Sequence, residues 1–118
     1  MANSNIPLLA SGSLFTGTAI GATYVAVTAA STVVYELELD NTANAAATYL
    51  RMYNNAAPTV GTTTADTMIL VPASTKITIV LPSGVTFGTA LSLSAGTSNT
   101  LATTTAPSSS FAVKIVYV

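Results

Sequence analysis

Cysteine, histidine and tryptophan are absent from this chain. Without cysteine there is no disulfide and no thiolate chemistry. Without histidine the usual general base at neutral pH and the commonest metal ligand are both missing. Charge is scarce as well. Of 118 residues only Glu36, Glu38, Asp40, Asp66, Arg51, Lys76 and Lys114 are charged, and the net charge of −1 offers no positive field to hold nucleic acid or an anionic membrane. No long apolar block is present either. Residues 14–34 interleave their apolar side chains with Gly, Ser and Thr and have no Lys or Arg at their flanks, so they do not read as a membrane span. Residues 1–13 lack the basic start of a signal peptide. These absences exclude most proton-transfer catalysis, so the chain is expected not to be an enzyme and to need no cofactor.

What is present is hydroxyl and β-branched carbon. Thr and Ser together make up 33 of the 118 residues, and they supply the polarity that a soluble surface usually takes from charge. A neutral hydroxyl surface is easy to desolvate and suits a subunit buried in an assembly. Strand-like alternation runs through most of the chain. In TVVYELELD one face holds Val33, Tyr35, Leu37 and Leu39, the other Val34, Glu36, Glu38 and Asp40. TKITIVLP turns Ile77, Ile79 and Leu81 inward and Lys76, Thr78 and Val80 outward. FAVKIVYV turns Phe111, Val113, Ile115 and Tyr117 inward. ATYVAVT, TYLRMY and TALSLSA add further strands, and TMILVP reads as a short buried one. Between them stand DNTANAA, NNAAPTVGTTTAD, PAS, the strong turn signal Pro82-Ser83-Gly84, and a Ser/Thr-rich loop over residues 96–110. Seven or eight short strands with turns roughly every ten residues predict an all-β, single-domain antiparallel sandwich of jelly-roll type. That sandwich is expected over residues 21–118. Residues 1–20 show no clean period and are expected to form an extended N-terminal arm. Its Ile6, Leu8, Leu9, Leu14 and Phe15 are too apolar to leave in water, so the arm should dock on a neighbour or on the sandwich.

Candidate chemistry is thin. Ser74 and Lys76 are two apart, but the lysine falls on a wet face, and a Ser–Lys dyad needs its amine desolvated. Glu36, Glu38 and Asp40 share a strand face, with alternate residues about 7 Å apart, too far for all three to hold one ion. Asp40-Asn41-Thr42-Ala43-Asn44 resembles the start of a calcium loop, yet its glycine and closing acid are missing and Arg51 stands where that acid would be. Arg51 is the sharper feature. It shares a strand face with Tyr49 and Tyr53, a composition typical of binding hot spots. The plainer alternative is an outward arginine paired with Glu36 or Glu38 on the next strand.

The run LDNTANAAATYLRMYNNAAPTVGTTTADTMILVPAS, the later PSGVTFGTAL and the terminal FAVKIVYV resemble small virion proteins of tailed bacteriophages, above all capsid decoration (cement) proteins, the cyanophage type included. The likeness covers residues 33–118 and rests on YLxxYN, APTVGT, the Val-Pro before a strand and PxGxxFxTAL. It implies a jelly-roll-like sandwich, often a homotrimer, that sits on the capsid surface and bridges neighbouring copies of the major capsid protein. Such a protein assembles in the bacterial host cytoplasm and contacts neither nucleic acid nor membrane. Two other binding roles suit the same residues. One is a head-fibre or tail-associated module that recognises the host surface through residues 54–66 and 96–110. The other is a pilus-like filament subunit that donates its arm as a strand.

Overall fold

The computed structural model describes residues 12–118. They form two antiparallel four-stranded sheets and no helix. The strands are β1 (Ser13–Gly17), β2 (Val25–Thr28), β3 (Thr32–Asp40), β4 (Thr48–Tyr53), β5 (Thr67–Val71), β6 (Lys76–Phe87), β7 (Leu91–Gly96) and β8 (Ala112–Tyr117). One sheet runs β1-β8-β3-β6 and the other β2-β7-β4-β5. The chain is in effect one long hairpin folded at the β4–β5 connection. It pairs β4 with β5, β3 with β6, β2 with β7 and β1 with β8. Wrapping that ribbon brings β8 beside β3 and β7 beside β4, which is the jelly roll.

Alternation drives the wrap. Val34, Leu37, Leu39, Val113 and Ile115 from one sheet face Leu50, Met52, Leu91, Leu93 and Ala95 from the other, and Phe111, Phe87, Val71 and Ile20 close the ends of the core. All are essentially out of water, each stabilising the fold by roughly 1.5–3 kcal/mol for the larger side chains.

Four expectations need correction. Ser13–Gly17, read as part of an extended arm that docks, is itself an edge strand of the sandwich, paired along β8 from Ser13–Tyr117 to Gly17–Val113, with Phe15 packed on the core. The alternation of β3 does not run unbroken, because its pairing shifts register between Val34 and Glu36. Val34 therefore points inward, and Tyr35 is the bulged residue. Pro82-Ser83-Gly84 does not reverse the chain. Val34 pairs with Val85 and Glu36 with Val80, so residues 81–84 swell out opposite Tyr35 and β6 continues in the same direction. Gly84 sits there at φ 73°, a conformation that strains any residue with a Cβ. Lastly, β5 is an edge strand rather than a buried one, and Met68 and Leu70 are exposed on its outer face.

Candidate functional site

The sequence singles out Arg51, so the outer face of β4 comes first. Leu50 and Met52 point into the core, which leaves Tyr49, Arg51 and Tyr53 on the opposite face. That face is not open. On β7 the outward positions are Ser92, Ser94 and Gly96, all small, and all of β7 is buried. Residues 97–110 fold back over the β4–β7 pair. Arg51 is the post that holds them down. Its Nη2 donates to the carbonyl oxygens of Ser98, Thr100 and Thr103 at 2.9, 3.0 and 2.8 Å. Gly96 makes room for this, since a Cβ there would come within 3.3 Å of the Thr105 carbonyl and 3.8 Å of Nη2. Bonds from a charged donor are the stronger kind, and here they replace the hydration that a buried guanidinium loses. Nε is left buried without a partner. Beside it the Tyr53 hydroxyl and Ser94 Oγ share a hydrogen bond of 2.9 Å.

The expectation of a Tyr49–Arg51–Tyr53 contact surface is thus corrected for two of the three. Arg51 and Tyr53 are only 2% and 0% exposed, because small residues on β7 let the chain's own loop cover them. Pairing of Arg51 with Glu36 or Glu38 is overturned too, as those acids lie on the other sheet. Tyr49 alone stays half-exposed, opposite the exposed Leu70. Of the arm residues, Ile6, Leu8 and Leu9 lie outside the described residues. Phe15 is half-buried against the core and Leu14 points to solvent.

Leu14 leads to the second surface, the outer face of the β1-β8-β3-β6 sheet. Its pairing gives one continuous row: Leu14 opposite Val116, Val116 opposite Glu36, Glu36 opposite Val80. Leu14 and Val80, at the two ends, are 63% and 62% exposed. Val118, also exposed, follows the end of β8. The next rows along are charged. Glu38 stands between Lys76 and Lys114 at 3.7 and 3.8 Å, and Lys114 is its direct cross-strand partner. Asp40 accepts from the hydroxyl and the backbone N–H of Thr42. These bonds, the hydroxyl's first, hold its carboxyl below the usual range, with Lys76 a smaller cause and desolvation opposing. Apart from Glu36 this end of the face is apolar, and the rows beyond it carry a neutralised charge pattern.

The remaining motifs are structural. In the calcium-loop likeness, Asn41 Nδ2 donates to the carbonyls of Ala46, Val71 and Pro72 at 3.1, 3.3 and 3.0 Å, and its Oδ1 accepts from Asn44 Nδ2 and Thr48 Oγ1 at 3.0 and 2.8 Å. Asn44 reaches on to the Ser110 carbonyl and the Ser109 N–H. The two amides join three connections, and their oxygens already accept protein donors. Among the described residues no group of three or more Asp or Glu could hold a metal ion, and no helix is long and apolar enough to cross a membrane. The Ser74 hydroxyl donates to the Asn44 carbonyl at 3.4 Å while Lys76 faces Glu38, so the two do not meet as a dyad.

Comparison with family models, curated proteins and solved structures gave no match to this chain. Its surfaces therefore carry the functional reading. Two were not foreseen from sequence: the Leu14-to-Val80 row, and the Met68 and Leu70 side chains on β5. Both have a signal in hindsight. Val80 breaks the polar alternation of Lys76 and Thr78, and TMILV alternates too weakly for a strand with one wet face.

Proposed function

We propose that this protein is a structural subunit of a phage virion, a capsid decoration protein that acts by binding. It attaches to the major capsid protein as a homotrimer, bridges neighbouring capsomers and stabilises the head against internal pressure. The observation that carries this reading is the row Leu14, Val116, Glu36 and Val80, which crosses all four strands of one sheet, is apolar at three of its four positions and is exposed at both ends. Exposed apolar side chains gathered on one face mark a contact site, and edge strands that present apolar side chains invite pairing rather than resist it. The likeness of residues 33–118 to phage decoration proteins supports the same reading. The jelly roll is compatible with it, being used in viral coats and in lectins alike, so fold alone does not choose between them.

The test is to mix the purified protein with undecorated capsids, then measure co-sedimentation and the temperature at which the shells disrupt. Binding and a raised disruption temperature are expected. Leu14→Asp and Val80→Asp, both at solvent-exposed positions, should keep the circular dichroism of the parent and lose binding. Absence of co-sedimentation together with a monomer on sizing would overturn the proposal.

A further inference from the structure

The row Leu14, Val116, Glu36 and Val80 holds one charge, the Glu36 carboxylate. The ion pairs of this face, Lys76 with Glu38 and Lys114 with Glu38, leave it out. Its neighbours across the strands on both sides are valines, Val116 on β8 and Val80 on β6, and side chains so opposed start about 5 Å apart at Cβ. Glu36 is half-buried, while Leu14 and Val80 at the ends of the row are exposed. Anything that covers the row takes water from this carboxylate, and a charge desolvated without a partner is costly. A ligand for this face must therefore bring a cation along with its apolar surface.

The face itself has none to spare. Glu36, Glu38 and Asp40 are three carboxylates against the two ammonium groups of Lys76 and Lys114. However the lysines are shared, one negative charge is left over. A second copy of the chain has none to spare either. Its one remaining basic side chain is Arg51, which is buried and bonded to the carbonyls of Ser98, Thr100 and Thr103. Two copies stacked through this face would press two surplus carboxylates together, and like charges across a contact act against it.

We infer that this face takes a different protein, one that presents a lysine or arginine set among aliphatic side chains. Glu36 receives the cation, and Leu14, Val116 and Val80 cover the aliphatic surface around it. Apolar contact then supplies affinity, and the single charge pair fixes the placement. This rests on the decoration reading, which makes the major capsid protein the partner. It also assigns the homotrimer contact of that reading to another surface.

Three substitutions at Glu36 test it, each first checked for the parental circular dichroism. Glu36→Gln removes the charge, Glu36→Leu completes the apolar row and Glu36→Lys reverses the sign. On undecorated capsids Glu36→Gln and Glu36→Leu should bind about tenfold or more weakly than the parent, and Glu36→Lys weaker still. Added salt should weaken the parent more than Glu36→Leu. Sizing of the free parent, Glu36→Gln and Glu36→Lys should give one oligomeric state. Glu36→Leu binding as tightly as the parent, or tighter, would mean that the partner is apolar at this point. A changed oligomeric state for Glu36→Lys would place a second copy on the face. Either result overturns the inference, while capsid binding by the parent leaves the decoration reading standing. If the parent does not sediment with capsids, the decoration reading fails, and aminohexyl-agarose, an alkyl stem ending in an ammonium group, decides the inference by itself. Glu36→Gln should then elute from it clearly earlier than Asp66→Asn, which makes the same change in net charge and keeps an acceptor for the Asn54 N–H. Equal elution of the two variants would overturn it.

Discussion

Arg51 Nη2 donates to the carbonyl oxygen of Thr103 at 2.8 Å, tying β4 to a loop 52 residues further along the chain. With the bonds to Ser98 and Thr100 this makes the only arginine an internal clamp. Arg51→Met keeps the aliphatic stem and removes the donors. Hydrogen bonds from charged groups contribute about 1.5–3 kcal/mol each, but the loop carbonyls can rehydrate once freed, so a net loss of ~2–3 kcal/mol is expected rather than the sum. Urea unfolding measures that loss, and amide exchange at Thr97, whose N–H donates to the Thr105 carbonyl, should accelerate in step. Lost stability with Thr97 still protected would mean that the side chain acts by packing alone.

Asn41 gives a second, sharper ordering. Its amide meets three carbonyls with Nδ2 and two donors with Oδ1, and the residue is fully buried. Asn41→Ala strands several polar groups, each worth about 1–3 kcal/mol when left unsatisfied, so ~3 kcal/mol is a reasonable scale for the loss. Asn41→Asp should be worse, although it is closer in shape, because it turns an acceptor toward three carbonyls. Urea midpoints at unchanged m-value decide the matter, and the reverse order would show that the pocket relaxes or admits water.

Much of this fold was legible because period two survives where one face is dry. Seven of the eight strands stand where the alternation puts them. β1 escaped notice because only Phe15 packs inward while Leu14, equally apolar, faces solvent; a two-residue contrast of like with like has no period. The phase of β3 was lost at Tyr35, since a bulge leaves no mark in hydropathy. Pro82 and Gly84 did signal irregular backbone, but the same residues serve a turn or a bulge within a strand. The candidate site failed for a different reason. Leu91, Ser92, Leu93 and Ser94 alternate as a half-wet strand would, and nothing in that pattern distinguishes a hydroxyl under a loop from one in water. The small size of the serines was the clue, for only small side chains let residues 97–110 lie flat against Arg51.

Gly84 separates two kinds of strain. At φ 73° an added Cβ is disfavoured by about 1–2 kcal/mol whatever surrounds it. It would also overlap Val33 Cγ1, which forces repacking. Gly84→Ala should therefore lower stability by ~2–4 kcal/mol. Adding Val33→Ala should restore only the steric part, leaving the backbone part in place. Gly88→Ala is the control, because nothing lies within 4 Å of its Cβ position, and it should fall between neutral and a gain of about 1 kcal/mol. Full rescue by Val33→Ala would show that the backbone conformation carries no strain.

Asp40 and Thr42 offer a test that reads a single proton. The Thr42 hydroxyl is the largest cause of the lowered Asp40 carboxyl, ahead of the Thr42 N–H and Lys76. A carboxyl lowered on folding contributes stability above its ordinary, unfolded value, and that contribution disappears as the pH falls through the lowered, folded value. Because the group is exposed the effect on unfolding should be small, so the titration itself is the better observable. Thr42→Val removes the hydroxyl and keeps the N–H. In carbon-detected NMR the Asp40 midpoint should move upward in this variant but stop short of the value in an unfolded peptide, since the N–H and Lys76 remain. Lys76→Met should produce a smaller upward move. A midpoint that ignores Thr42→Val but follows Lys76→Met would reverse the ranking and make the lowering a matter of charge across β3 and β6.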